Sequence, residues 1–500
     1  MNSTLILLVT LAAPLAAATC DSLATLSLPA TSVTRAALVP AGEFSLAPGT
    51  PPPQQQLFKR LPAFCRVAAT LSPTSDSEIK IEVWLPAENW NGKFMGVGNG
   101  GWSGAIVYQA LANAVLHNYA AASTNTGHDG GDASFALGHP EKLTDFAYRA
   151  VHDMTLKGKA IAEALYSKAP TRSYWNGCSS GGKQGLKEAQ KFPTDYDGIV
   201  AGAPANYWTH LMAGDLWPGA VTRKDPAATL APANFETLHR AVLNACDALD
   251  GVKDGLIEDP TRCHFDPRTL VCKEGQTEGC LTAPQAEAAS KIYAGASNPR
   301  TGKAIFPGLS PGSELVWGAL AGPQPFGISV SHFRNVVFKD PAWDPHTIDF
   351  DKDVALADKL DNGLLNATDP NLKEFSSRGG KLLMYHGWND QLISPLNSVD
   401  YYNSVAHKMG GVSKVNDSIR LFMAPGMNHC AGGDGPSSMD FFSVIENWVE
   451  QGKAPEQITA SHMTNGKPDR TRPLCPYPQV AKYRGSGSID EAVSFVCTAP

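Results

Sequence analysis

The sequence predicts an α/β chain: a parallel sheet covered by helices on both faces, with one long insertion. Three observations predict it. Apolar strand-like runs alternate with helix-like segments between residues 79 and 202, the order that builds strand–helix–strand units. The alternation lapses over 206–375 and returns at Lys381-Leu382-Leu383-Met384-Tyr385-His386-Gly387. Between these, Gly177-Cys178-Ser179-Ser180-Gly181 follows a strand-like run at 172–176 and precedes a helix-like one, Lys183 to Lys191. In that context a G-x-S-x-G pentapeptide is a sharp strand-to-helix turn that exposes the serine hydroxyl, so Ser179 is the candidate nucleophile. Alone, the pentapeptide is a common turn; its flanks give it meaning.

The 500 residues exceed what one core usually organises, so a main body with a large insertion or second domain is expected. With 41 basic against 48 acidic residues, a net charge of -7 and no basic run, neither nucleic acid nor an anionic membrane surface is a natural partner. A small neutral or weakly charged substrate fits better. Residues 1–18 carry an apolar stretch, Leu5 to Leu15, ending in Ala16-Ala17-Ala18. This is a secretory signal pattern, though without Lys or Arg before the apolar run, and it is too short for a comfortable membrane span. Ten cysteines, none in a CxxC pair, agree with export and disulfides rather than a metal–thiolate centre. A secreted or periplasmic location follows.

In chain order, residues 21–75 are rich in Pro, Ala and Ser and predict an irregular arm, with Cys20 and Cys65 placed to tie it down. Ile79-Lys80-Ile81-Glu82-Val83-Trp84-Leu85 alternates as a half-buried strand does. Lys93 to Val97 is a second strand, breaking into Gly98-Asn99-Gly100-Gly101-Trp102; a Gly-rich turn after a strand brings backbone N–H groups close to a ligand, as an oxyanion hole requires. Tyr119 to Thr124 is a third strand. The His128, Asp129 and Asp132 that follow it are read as structural loop residues. Thr144 through Ser167 predicts a helix leading into the strand before Ser179, and 196–202 the next strand.

The segment 206–375 holds Cys246, Cys263, Cys272 and Cys280, several prolines and many aromatics. It is read as a lid domain over the active edge of the sheet, walling a pocket with apolar side chains, while 19–205 and 376–500 form the catalytic domain. Within the insertion, Asp247, Asp250 and Asp254 fall in eight positions with Gly251 and Gly255 between and beside them. Oxygen-only donors on a tight turn suit a hard cation, with the carbonyls of Val252 and Leu256 completing the shell. Calcium is the natural candidate, although the spacing is not that of an EF-hand.

A serine nucleophile needs a base and an orienting acid, and here they are expected after it, acid first. Asp390 lies just beyond the 381–387 strand, and His429 just beyond Ile419-Arg420-Leu421-Phe422-Met423. His386 precedes the acid and closes a strand, so it is read as a packing residue; Asp400 and Asp434 are alternatives to Asp390. Cys178 precedes the serine and Cys430 follows the histidine, so a bridge between them would hold Ser179 beside His429.

These residues resemble the tannase and feruloyl esterase family of secreted α/β hydrolases, whose signature of Cys-Ser, then Asp, then His-Cys is matched by Cys178-Ser179, Asp390 and His429-Cys430. The resemblance runs from about Cys65 to Cys497. It implies the α/β-hydrolase fold with the lid inserted before the acid-bearing strand, Ser179 as nucleophile, His429 as base and Asp390 as orienter. The N–H groups of Gly101 and Ser180 would form the oxyanion hole. It further implies structural calcium on Asp247, Asp250, Val252, Asp254 and Leu256, and disulfides pairing 20 with 65, 178 with 430, 246 with 263, 272 with 280, and 475 with 497. The implied activity is hydrolysis of small aromatic esters, feruloyl esters first, with galloyl esters and mono(hydroxyethyl) terephthalate as alternatives. Ile393, aliphatic where the terephthalate hydrolases carry an aromatic residue, argues against the last. A non-catalytic exported calcium-binding or adhesion protein is the reading of a different class, which the complete triad opposes.

Overall fold

The computed structural model describes residues 18–46 and 51–500. The expected signal lies outside the described residues except for Ala18.

Nine strands form the central sheet: β1 (Thr31–Val39), β2 (Phe64–Leu71), β3 (Ile79–Pro86), β4 (Lys93–Val97), β5 (Ala120–Thr124), β6 (Arg172–Cys178), β7 (Gly198–Gly202), β8 (Lys381–Gly387) and β9 (Ile419–Ala424). Their spatial order is β1-β2-β3-β5-β4-β6-β7-β8-β9. From β5 to β9 every pairing is parallel, whereas β1/β2, β2/β3 and β3/β5 are antiparallel. The sheet is therefore mixed rather than wholly parallel.

The expectation of an irregular arm over 21–75 is corrected here, because β1 and β2 extend the sheet from within it. In β2 the buried Cys65, Val67, Ala69 and Leu71 alternate with Arg66, Ala68 and Thr70, a period-two pattern that was present in the sequence but weakened by small residues. Strand β1 is the sheet edge and leaves most of its side chains at least partly exposed, so it carries little apolar signal of its own.

Helices cover both faces, as parallel strands require. On one side lie α1 (Tyr108–Leu116), through Leu111, Ala112 and Val115, and a late C-terminal helix, 441–451, through Ile445 and Trp448. On the other are α2 (Ala150–Tyr166), α3 (Ser180–Lys191) and the helix 395–408, burying Val151, Met154, Ile161, Leu186 and Val399. The helix expected over 144–167 begins with a π-helical turn at Asp145–Arg149 before α2 proper.

The 206–375 segment contributes α4 (Trp208–Arg223), α5 (Pro232–Cys246) and α6 (Ala283–Ala294) with short turns between. Phe235, Leu238, Leu281, Ile292 and Trp317 form one apolar cluster of its own. A second cluster joins its Trp208, Leu211, Met212 and Phe333 to Trp102, Phe146 and Ile393 of the sheet-bearing part. Near the C-terminus, Cys475, Ala481 and Phe495 pack against Val252 of the acidic loop. Five disulfides join 20 to 65, 178 to 430, 246 to 263, 272 to 280 and 475 to 497, the pairs that the resemblance implied. Among the described residues no helix is long and apolar enough to cross a membrane.

Candidate active site

Ser179 stands between β6 and α3 with φ +64° and ψ −122°, a backbone conformation that non-glycine residues rarely adopt. It is held there by its own amide, which donates to Gly202 O at the end of β7 (3.0 Å), and by its carbonyl, which accepts from Lys183 and Ala205 (3.0 and 3.1 Å). The turn is tight enough that a Cβ on Gly177 would stand 2.6 Å from the Gly181 carbonyl carbon. Any side chain there would force β6 and α3 apart, which accounts for the glycines flanking the serine.

Asp390 follows β8 and is fully buried. Its Oδ1 accepts from the amides of Leu392 (2.8 Å) and Ile393 (2.9 Å), and its Oδ2 lies 2.7 Å from His429 Nδ1. Burial alone would favour the neutral acid. The two imidazoles beside it, His429 and His386, outweigh that and hold the carboxyl well below the usual carboxylate range. For His429 burial likewise opposes the charged form, but the Asp390 carboxylate prevails and leaves the imidazole above its ordinary value.

His386 does more than pack. Its Nε2 lies 3.0 Å from both Asp390 Oδ2 and the Ile393 carbonyl, and its Nδ1 lies 2.7 Å from Ser398 Oγ. Since a carbonyl only accepts, Nε2 carries the proton and donates to the acid loop. The packing reading is corrected accordingly: His386 positions Asp390. Gln391, which sequence reasoning missed, accepts from the His429 amide through Oε1 (3.2 Å). Asp400 and Asp434 are exposed and belong to no part of this cluster.

Ser179 and His429, distant in the chain, are brought together by the Cys178–Cys430 bridge, whose Cα atoms are 6.0 Å apart. Cys430 also has φ +64°, and Ala431 N donates to His429 O (2.8 Å), so the histidine is presented on a tight turn. On the other side of the serine, Ser180 Oγ donates to Gly101 O (2.9 Å). As the first residue of α3, Ser180 offers an amide with no intrahelical acceptor. Gly101, at φ +50°, is the first central residue of a turn closed by Ser103 N on Gly100 O (2.9 Å).

Ile328, from the inserted segment, lies over this turn: a Cβ on Gly101 would meet its Cδ1 at 2.9 Å, and Trp102 Nε1 donates to its carbonyl (3.1 Å). No local signal in the sequence could have found Ile328. The loop with His128, Asp129 and Asp132 is structural in its contacts: His128 stacks on Phe135 (3.7 Å), Asp129 pairs with Lys80 (2.5 Å), and Asp132 accepts from Ser134 N (2.7 Å).

Within the acidic loop, Asp247 accepts from the amides of Asp254 and Gly255 (3.1 and 3.2 Å), Asp250 from Val252 N (3.0 Å) and Asp254 from Leu256 N (3.1 Å). Burial raises the carboxyls of Asp247 and Asp250 above their ordinary values, so a cation beside them would relieve an unfavourable charge burial. The donor chemistry, oxygens only on a turn through Gly251 and Gly255 at positive φ, fits a hard cation. Arg472, itself buried, pairs with Asp254. Among the described residues the three side-chain donors whose ligating atoms all lie within 4.8 Å of one another are elsewhere, at His152, Glu188 and Asp195.

The chain matches the family described as tannase and feruloyl esterase over residues 65–498. It is 38% identical to an uncharacterized esterase of Xanthomonas campestris, across 96% of this chain and 91% of that protein. It is 37% identical to a probable feruloyl esterase B-2 of Neosartorya fischeri, across 87% of this chain and 86% of that protein. The crystal structure of feruloyl esterase B from Aspergillus oryzae superposes with a TM-score of 0.90 at 32% identity, covering 96% of this chain and 99% of that one. Tannin acyl hydrolase from Aspergillus niger shares the fold, with a TM-score of 0.80 at 22% identity over 95% of this chain and 93% of that one. With its α/β-hydrolase sheet and a family match covering most of its length, this chain belongs to the tannase and feruloyl esterase family.

Proposed function

We propose that this carboxylic ester hydrolase is a secreted serine esterase acting on esters of plant phenolic acids, feruloyl esters foremost, with Ser179 as nucleophile, His429 as base and Asp390 as orienter. The observation that carries the reading is the continuous linkage from Asp390 Oδ2 to His429 Nδ1 (2.7 Å) and, through Cys430–Cys178, to the serine at the strained turn. Ser179 Oγ attacks the ester carbonyl while His429 Nε2 takes its proton. The amides of Ser180 and Gly101 receive the developing oxyanion. His429 returns the proton to the departing alcohol, leaving an acyl-enzyme. Water then attacks with His429 again as base, and the phenolic acid is released with Ser179 restored.

Residues 206–375 act as the lid and 19–205 with 376–500 as the catalytic domain. The two-sided cluster of Trp102, Trp208, Leu211, Met212 and Ile393 supports this division by packing the insertion onto the sheet-bearing part. The five disulfides fit an oxidising compartment. Side-by-side hydrolysis of methyl ferulate, methyl gallate and mono(hydroxyethyl) terephthalate tests the substrate class. Highest kcat/KM on ferulate is expected, and a preference for gallate or terephthalate would replace it.

Calcium, held by Asp247, Asp250 and Asp254 with the carbonyls of Val252 and Leu256, would supply structural support rather than chemistry. The loop's packing against Cys475, Ala481 and Phe495 makes it a clasp between the insertion and the C-terminal residues 475–497. At free calcium about 100 times the dissociation constant such a site contributes about 2.7 kcal/mol. Chelation should accordingly lower the melting temperature by a few degrees and leave turnover far below melting unchanged. Turnover that follows calcium directly at low temperature contradicts this role.

The Cys178–Cys430 bridge closes a loop of 252 residues, for which chain entropy gives about 5 kcal/mol. Its positional use is larger, since a misplacement of about 1 Å between nucleophile and base can cost on the order of a hundredfold in rate. A Cys178→Ala, Cys430→Ala double variant is expected to lose that factor at temperatures where circular dichroism reports a folded chain. Near-normal turnover in the folded variant would reduce the bridge to a stabilising link.

A further inference from the structure

A second cluster of chemistry-bearing side chains lies on the face of the sheet covered by α2 and α3, away from the serine. His152 is on α2, Glu188 on α3 and Asp195 in the turn between α3 and β7, and one ligating atom from each falls within 4.8 Å of the other two. Glu188 is nine residues beyond Ser179, about 13 Å along α3 at the helical rise, so the cluster is separate from the active site.

Glu188 is only 1% exposed and neither of its carboxylate oxygens meets a donor among the described residues; it faces the Asp195 carboxyl, which can partner it only when one of the two carries a proton. A buried carboxyl with both oxygens unmatched costs free energy unless a proton or a cation serves it. The nearby ammonium attracts Glu188 without a hydrogen bond to it: Lys159 Nζ donates to the backbone carbonyl of Asp195 and sits over the rings of Tyr196 and Phe94. Arg378 is spent on the carbonyls of Pro193 and Tyr196 (2.9 Å each) and on Asp197. Asp195 Oδ2 lies 2.7 Å from His152 Nδ1, and the imidazole is stacked on Phe192 at 3.8 Å, which fixes the ring's plane. The His152 side chain keeps 24% exposure, an entry path from solvent.

We propose that His152, Glu188 and Asp195 bind a first-row divalent cation of the zinc type, tying the nucleophile-bearing helix to α2 and to the turn before β7. One imidazole nitrogen with two carboxylates suits zinc or cobalt better than calcium, which takes oxygen shells. Donors about 2.0–2.2 Å from such an ion lie at most about 4.4 Å apart, so the trio closes on it with a small shift of side chains. The remaining coordination positions fall to water through the His152 side. The site is structural, and its existence does not depend on the esterase reading.

The test uses the full chain in excess calcium, which keeps the acidic loop from competing, after removal of tightly held transition metal with a zinc-selective chelator. Cobalt(II) alone is the first probe and zinc(II) the second. One equivalent of cobalt should bind with the visible ligand-field absorption of a low-coordinate ion, zinc should displace it, and zinc should raise the melting temperature. Glu188→Gln and His152→Gln should each weaken cobalt binding on the order of a hundredfold and abolish the zinc-dependent rise, with metal-free ester hydrolysis unchanged. His152, at the surface, decides the matter if the buried Glu188 variant folds poorly. Absence of the cobalt spectrum in the wild type, or its survival in both variants, overturns the site. So does a Glu188→Gln variant that is more stable than a wild type indifferent to zinc, because the carboxyl pair then shares a proton instead.

Discussion

Ser179→Ala is expected to lower kcat/KM on a phenolic ester by on the order of ten thousandfold or more with the melting temperature unchanged. The reason is chemical rather than structural. In the proposed mechanism the substitution removes the oxygen that forms the acyl-enzyme, whereas the strained turn is held by backbone contacts, Ser179 N to Gly202 O and Ser179 O to Lys183 N and Ala205 N, which alanine keeps. Residual rate would come from the amides of Ser180 and Gly101 and from substrate binding, as in other serine hydrolases stripped of their nucleophile. A folded Ser179→Ala variant retaining more than a few per cent of turnover removes the serine from the mechanism. His429→Ala should fall by a comparable factor.

Asp390→Asn is expected to cost roughly a thousandfold to ten thousandfold in kcat, and the hydrogen bonds around the acid say why. Oδ1 faces two amides, Leu392 N and Ile393 N, while Oδ2 faces His429 Nδ1 and the proton on His386 Nε2. An asparagine that keeps its oxygen toward the amides turns its NH2 toward both imidazoles. It then opposes the His386 proton and offers His429 Nδ1 a donor, moving the His429 proton to Nε2, where the base must be free to receive one from the serine. The reverse orientation sets NH2 against two amide donors.

The substitution also has a pH signature. With His429 as the proposed base, activity requires its neutral imidazole, and its raised pKa in the wild type means that activity should fall as pH drops through a value above the ordinary imidazole pKa of about 6.5. Without the carboxylate only burial acts on His429, and burial favours the neutral form. The acid limb of kcat/KM should therefore move to lower pH in Asp390→Asn even as its height collapses. A limb that stays in place would mean that Asp390 does not set the charge of His429.

What the sequence alone determined is whatever a short stretch can encode. Ser179 follows from the G-x-S-x-G turn between β6 and α3, and Asp390 and His429 from the ends of the apolar runs at β8 and β9, because a fully buried parallel strand is a continuous apolar run and the loop beyond it is where side chains are free for chemistry. The even cysteine count at short spacings and the acids crowded between 247 and 254 are local in the same sense. Strand β2 was legible in its alternation, and was missed because its proline-rich flanks and small residues obscured the period.

The tertiary structure decided everything that joins residues with no shared stretch. Strand β1 enters the sheet through its pairing with β2 and not through its own side chains. His386 looks like any buried strand residue until the β8 loop folds back and sets Asp390 against its Nε2. Ile328 reaches Trp102 across a separation of 226 residues, and Arg472 reaches Asp254 across 218. Glu188, an ordinary polar position on a helix when read along the chain, is sealed beside His152 and Asp195 only because α2, α3 and the turn before β7 pack on one face of the sheet. Periodicity reports which side of an element is buried; it carries no information about which distant element is buried against it.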